Sequence, residues 1–595
     1  MPKSSPSIFD ELDADVVSAV EEGLARWNGS DWRRLDARDM AKYQGRLFEG
    51  GWRLRIIFSD GPKHLDVLVA RGFPFISART ALLEHPPKLT WPHVEEDGVL
   101  CLFGNGLELD ESDPATVVEN LLARSCRLVE ELIEGKIIDR DFREELLTYW
   151  AYDLYRPRRH YSLLRPDGNS REIRAWNSQA LTVVAENDDD LKNWLQKFVG
   201  VERPFTTVPA ALLIFDKAPL PAEYPQRARH VLDLARLARG DGIDILGSIV
   251  SDSSHPLTVV ISAPGRAGPG LVVSTIDAGM AGGQHAGRRA SAGFRKNNTP
   301  KDILISRIFG AQKVARSLVT RADANWIHGR GRDPRSERLL ESKVVLFGCG
   351  SVGSFVAATL LKAGVGTLHV VDPDKLEWPN VGRHYLGGQS VGLNKASEFA
   401  KRSQAEFPHL KVFGHDSYAE SVLREAPDWL SDADLTISTT GSGRADKALN
   451  EWQKLAARSL PIVYGWTEPF AGAGHAVAIT GSGGCLSAGV NNLGLATFEM
   501  TLWKQSAMME EPACGVHFAP YGPIELSRVN DLVVELSIDC LLGKLPSSTH
   551  RVWAARQAHL DEFDGAWTVD GRKLLGANTG GGCVINRPWP RCSCC

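Results

Sequence analysis

Apolar residues along the chain follow two periods, and the changes between them mark out its parts. From Phe9 to Trp27 the spacing predicts a helix, whereas Trp52 to Phe58 alternates as a strand, runs into the turn Ser59-Asp60-Gly61 and is followed by a second strand, His64 to Ala70, at hairpin distance. Ala115 to Glu134 returns to helical spacing. Farther along, Trp176 to Val184, Ala210 to Phe215 and Leu257 to Ser262 read as strands around an amphipathic helix, Arg227 to Arg239. Gly279 to Pro300 is glycine-rich, basic and poor in apolar residues, which predicts a mobile connector. Beyond it, the buried-type run Val344 to Phe347 precedes a helix, Phe355 to Lys362, and a strand, Thr367 to Val371; a long apolar helix, Asn530 to Leu542, lies nearer the C-terminus. The pattern predicts an α+β region over residues 1–150, an α/β region over 151–277, a connector over 278–300 and a Rossmann-like α/β region over 301–595.

Composition narrows the classes. A chain of 595 residues is too long for one core. Apolar content of 43% and charged content of 24% are those of an ordinary globular protein, and a net charge of −5 gives no reason to expect nucleic-acid binding. No run of 18 apolar residues occurs and the N-terminus lacks the apolar segment of a signal peptide, so a cytoplasmic location is expected. In that compartment the ten cysteines are thiols, and the question becomes which of them react.

The first strong motif follows Phe347. Gly348-Cys349-Gly350-Ser351-Val352-Gly353 is G-x-G-x-x-G placed between a strand and a helix, where glycines let backbone approach a phosphate at a helix N-terminus. The next strand ends in Asp372-Pro373-Asp374 and is followed by Asn380, Arg383 and Lys395. An acid about 20 residues after the glycines suits a ribose hydroxyl. A redox dinucleotide, however, has no use for an Arg and a Lys closing over a triphosphate. Together these residues resemble the adenylation domain shared by ThiF, MoeB and the ubiquitin-activating enzymes. That resemblance implies that Asp372 holds the ribose, that Asn380, Arg383 and Lys395 position ATP phosphates, and that a carboxylate attacks the α-phosphorus. Where the family has a metal-binding Asp after the next strand, this chain has Gly441, so no protein metal site is expected and Mg²⁺ would be held by the ATP phosphates or by Asp374.

A second resemblance lies upstream. A helix, a meander, Phe73-Pro74-Phe75 and the turn Glu96-Asp97-Gly98 before Val99-Leu100-Cys101-Leu102 resemble the ubiquitin-conjugating fold over roughly Ser7 to Gly135, with Cys101 at the thioester position. Thioester chemistry needs a thiol that is readily deprotonated and leaves well. Where conjugating enzymes carry His-Pro-Asn, this chain has Trp91-Pro92-His93, which leaves His93, or Asn105 beyond the cysteine, to support the oxyanion. Cys126 is expected to be a packing residue within its helix.

An activating domain that hands a carrier onward needs its own thiol. Cys349 lies inside the glycine loop, and Cys485 lacks the partner at position 488 that zinc would require. Cys514, in a polar loop shortly before Tyr521-Gly522-Pro523, is expected to be the activating cysteine, with His517 as a candidate base; Cys540 falls within the apolar helix. The order of these parts resembles the conjugating/activating fusions associated with CD-NTases in cyclic-oligonucleotide (CBASS) antiphage systems. It implies an acyl-donor protein, such as a CD-NTase, a target lysine amine and a homodimer, with Arg330, Arg332 and Arg335 as the candidates for the arginine that the family shares across its interface. A ubiquitin-like donor in another bacterial system, and a sulfur-carrier adenylyltransferase, are the alternatives. The latter leaves Trp91 to Leu102 unused.

Overall fold

The computed structural model describes residues 12–28, 31–102, 113–151, 158–199, 204–250, 255–277, 292–295, 299–309, 312–330, 332–456, 459–481, 484–491, 495–504, 509–510, 517–518 and 521–590. Cys514, Asn105, the terminal cysteines and most of the connector fall outside them. The chain forms two compact units: Met1–Tyr161, Arg165–Val184 and Val208–Thr320 in one, and Ser162–Leu164, Ala185–Thr207 and Arg321–Cys595 in the other.

The first unit opens with the helix Ala14–Asn28. Four strands follow in sequential antiparallel order, Trp32–Arg34, Gly50–Phe58, Gly61–Val69 and Arg79–Leu82. The alternation read from the sequence sends Trp52, Leu54, Leu65 and Val67 into a core closed by Val117, Val118, Leu121 and Leu122 of the helix Pro114–Ile133. The two helices approach closely because Gly23 carries no side chain; a Cβ there would lie 2.5 Å from the carbonyl of Ala115. One charged group is fully buried in this sheet, Asp66, and it is satisfied by Arg53 at 2.7 Å and by the Tyr43 hydroxyl at 2.8 Å.

The middle region shares this unit. Trp176 to Val184 is not one strand: Arg171–Asn177 and Leu181–Ala185 are separated by a turn in which Ser178 N–H donates to Leu181 O at 2.8 Å and the Ser178 hydroxyl bonds the same carbonyl. A serine side chain that competes for backbone partners ends a strand whatever its apolar pattern. The strand Val314–Leu318 pairs antiparallel with Gly268–Ile276, so residues just past 301 complete the middle sheet, and the nucleotide-type fold begins later than the boundary read at 301.

In the second unit five parallel strands run in the order Lys411–His415, Thr367–Val371, Lys343–Phe347, Leu435–Ser438 and Ile462–Thr467. Three antiparallel strands, Ala473–Ile479, Thr549–Arg556 and Gly581–Pro588, extend the sheet. The strand Lys343–Phe347 has its successor on one side and Leu435–Ser438 on the other, so the strand order reverses there, and a crevice opens at the carboxyl ends. Helix Pro523–Leu541 starts seven residues before the Asn530 read from the sequence, because Pro523 occupies its first turn rather than breaking it. Among the described residues no helix is long and apolar enough to cross a membrane.

Candidate functional site

At that crevice lies a cavity of about 420 Å³ lined by Gly350, Ser351, Val352, Asn380, Arg383, His384, Lys395, Thr439, Thr440, Gly441, Gly465, Trp466, Thr467 and Tyr521. The glycine loop is shaped by three different demands. Gly348 has φ 90°, and a Cβ on it would fall 2.7 Å from Thr439; one on Gly353 would fall 1.8 Å from the Gly348 carbonyl. Around Gly350 nothing lies within 4 Å of a would-be Cβ, so this glycine keeps the cavity open rather than serving packing. Helix Gly353–Ala363 then points its N-terminus toward the loop.

Asp372 closes the next strand and is buried. Its two oxygens accept from Cys349 N–H at 2.6 Å and Asp374 N–H at 2.8 Å. Burial pushes its carboxyl up, against the pull of these two donors. Asp372 therefore holds the loop's shape from behind the cavity wall. Asp374 is exposed and accepts from Lys395 Nζ at 3.1 Å. Lys395 begins the helix Lys395–Glu406, capped by Asn394. Asn380 closes its own short helix by accepting from Glu377 N–H at 3.0 Å, and Arg383 donates to Pro379 O at 2.9 Å while its guanidinium lies 5.5 Å from the Tyr521 ring centroid. Of the nucleotide residues read from sequence, the cavity wall gathers Gly350, Asn380, Arg383 and Lys395; Gly348, Gly353, Asp372 and Asp374 support it.

Two wall residues escaped sequence reading. His384 donates from Nε2 to Cys349 O at 2.6 Å and accepts Leu386 N–H on Nδ1, and burial lowers its pKa, so a neutral imidazole braces the loop. The Tyr521 hydroxyl meets the Ser351 hydroxyl at 2.7 Å in the cavity wall. Neither belongs to a spacing pattern; only the fold brings them here. Gly441 lies in the wall with φ 65°, and among the described residues no three metal-ligating side chains converge.

The second constellation surrounds Cys101, whose side chain is exposed. Its N–H donates to His93 O at 2.8 Å. His93 itself is buried with φ 61°; Nε2 lies 3.0 Å from Asp141 and Nδ1 3.7 Å from Glu145, so both ring nitrogens face carboxylates, and its N–H donates to the Tyr149 hydroxyl at 2.9 Å. Burial pushes the Cys101 thiol up, while the Arg79 guanidinium pulls it down and Glu95 and Glu145 oppose that pull. Of the other described cysteines, burial pushes Cys126 up to about 11 and Cys540 up to about 12, Cys349 and Cys485 are fully enclosed, and Cys583 is half-buried on the last strand.

Residues 326–518 match the ThiF family and residues 24–155 match the Prokaryotic E2 family B. The chain thus joins an E2-type domain to a ThiF-type domain with a Rossmann-like sheet. It is similar to the ATP-dependent ubiquitin transferase-like protein Cap2 of Pseudomonas aeruginosa, 26% identical over 63% of this chain and 66% of that one, and to Cap2 of Vibrio cholerae, 29% identical over 28% and 29%. The alignments therefore span less than two thirds of these relatives. The crystal structure of E. coli MccB with MccA-N7isoASN matches at 17% identity and TM-score 0.31, over 44% of this chain and 68% of that one.

Proposed function

We propose that this protein is an ATP-dependent conjugating enzyme. The ThiF-type cavity adenylates the C-terminal carboxylate of an acyl-donor protein, Cys514 displaces AMP to form a thioester, Cys101 receives the acyl group, and a lysine amine of a target takes it. Dividing amide synthesis in this way is the logic of covalent catalysis. The observation that carries the reading is the convergence of Gly350, Arg383 and Lys395 on one cavity at the reversal point of the sheet. It has a loop open to phosphate and two cations to stabilise charge as pyrophosphate leaves. Mg²⁺ would arrive on the ATP phosphates, with Asp374 the carboxylate beside the Lys395 wall.

A CD-NTase is the proposed donor, in keeping with the likeness to Cap2, and we place the reaction in the cytoplasm, in a homodimer. The test is ATP–pyrophosphate exchange by the purified chain with a purified CD-NTase as the acyl donor. Exchange that depends on the donor and is lost when the donor's last residues are deleted is the expected result. Exchange equally strong without any donor would overturn the reading.

A further inference from the structure

Strand Arg79–Leu82 meets the segment leading to Cys101 in an antiparallel bridge between Ala81 and Val99. Leu100 N–H donates to Thr80 O at 2.7 Å and Leu82 N–H to Gly98 O at 2.9 Å, so the register continues in both directions. Two residues along from the Ala81–Val99 pair, Arg79 stands opposite Cys101, and opposite residues of an antiparallel pair project from the same face. The positive charge of Arg79 accordingly pulls the Cys101 thiol down. Arg79 Nη2 lies 3.5 Å from Glu95, but its Nε is buried and finds no acceptor among the described residues. A buried guanidinium N–H without a partner costs free energy unless something occupies the position it points to. Arg79 also borders a cavity of about 340 Å³ whose other walls include Leu47, Phe48, Ile76, Leu100 and Leu102, so an acyl chain held at Cys101 would have apolar walls beside the guanidinium.

We propose that Arg79 is a catalytic residue of the E2-type site, its guanidinium donating to the oxyanion that forms on the acyl carbonyl at Cys101. This rests on the conjugating role given above. In acyl loading, the Cys101 thiolate sulfur bonds to the carbonyl carbon of the incoming thioester and the C=O electron pair moves onto oxygen, where Arg79 donates. Collapse restores C=O and expels the thiolate of the delivering cysteine. In transfer, the amine nitrogen of the target attacks the same carbon, the oxyanion forms against the same donor, and Cys101 leaves as thiolate while the ammonium loses its proton to water. His93, with both ring nitrogens against carboxylates, positions the backbone of Cys101 instead.

Three measurements on the full-length protein test this: ATP–pyrophosphate exchange, discharge of preloaded Cys101 to free lysine, and alkylation of the Cys101 peptide by iodoacetamide across pH, read by mass spectrometry. Arg79→Gln should slow discharge at least about tenfold and move the alkylation midpoint to higher pH, and Arg79→Lys should restore part of both. Discharge and alkylation unchanged in Arg79→Gln would overturn the assignment. Exchange reports the ThiF-type domain, so its absence from the wild type overturns the functional reading and the proposal with it. Loss of discharge with an unmoved alkylation profile in both variants assigns Arg79 a folding role and also overturns the proposal.

Discussion

Asp446 shows how a single side chain can carry a pH signature. It lies on the helix Gly443–Ala456, accepts from the Ser438 hydroxyl at 2.5 Å and the Thr440 hydroxyl at 3.4 Å, and burial pushes its carboxyl up to about 6. A folded-state pKa above the unfolded value means that the native state keeps the proton longer. Stability from this group is therefore present below about pH 4 and is lost as pH rises toward 6. Asp446→Asn retains an acceptor for Ser438 without a buried charge. We expect it to stabilise the protein by about 2–3 kcal/mol at pH 8, with the gain in Tm shrinking by pH 5. A gain that does not change with pH would contradict this account.

Among the elements, the glycine loop separates two uses of one residue type. Gly353→Ala would drive a methyl to 1.8 Å from Gly348 O, against backbone that cannot yield, and should destabilise the protein by about 1–3 kcal/mol or more. Gly350→Ala meets open space, so thermal unfolding should move little, yet the methyl stands where a phosphate would approach and the KM for ATP should rise at least tenfold. Melting curves and ATP kinetics on both variants check the contrast. It fails if Gly350→Ala melts early or binds ATP normally. The same comparison explains what was legible: the G-x-G-x-x-G spacing announced a phosphate loop, but which glycine faces the cavity depends on where Thr439 and the Gly348 carbonyl come to lie.

For the whole molecule, the two proposed reactive centres fall in different compact units, Cys101 in one and the cavity beside the glycine loop in the other. The proposed relay through two thiols predicts that each traps a different intermediate. Cys101→Ala should accumulate a reducible donor thioester at Cys514, and Cys514→Ala should adenylate the donor while loading neither site. Cys101→Ser should hold a reductant-resistant oxyester, since alkoxide leaves less readily than thiolate. Cys540, pushed up to about 12 within its helix, is the control, and Cys540→Ala should conjugate nearly normally. Non-reducing gels with labelled donor distinguish these species; loading of Cys101 in Cys514→Ala would place transfer directly from the adenylate.

The sequence by itself determined two neighbouring strands of the nucleotide sheet, the helix after the glycine loop and the cations near it, because these depend on local period and on short spacings. Thr367–Val371 was read with the bounds it has, and Asn380, Arg383 and Lys395 follow one another within a single stretch of chain. Tertiary structure alone decided the rest. The placement of Val314–Leu318 on its partner strand, Gly268–Ile276, depended on pairing across an intervening segment. His384 and Tyr521 reach the cavity, and Arg79 comes to stand opposite Cys101, through contacts between residues 22 to 170 positions apart in pairings that no spacing rule records. Local interactions are written in the order of residues, whereas a side chain's partners across a sheet are set by register and by the reversal of strand order, and those exist only once the chain has folded.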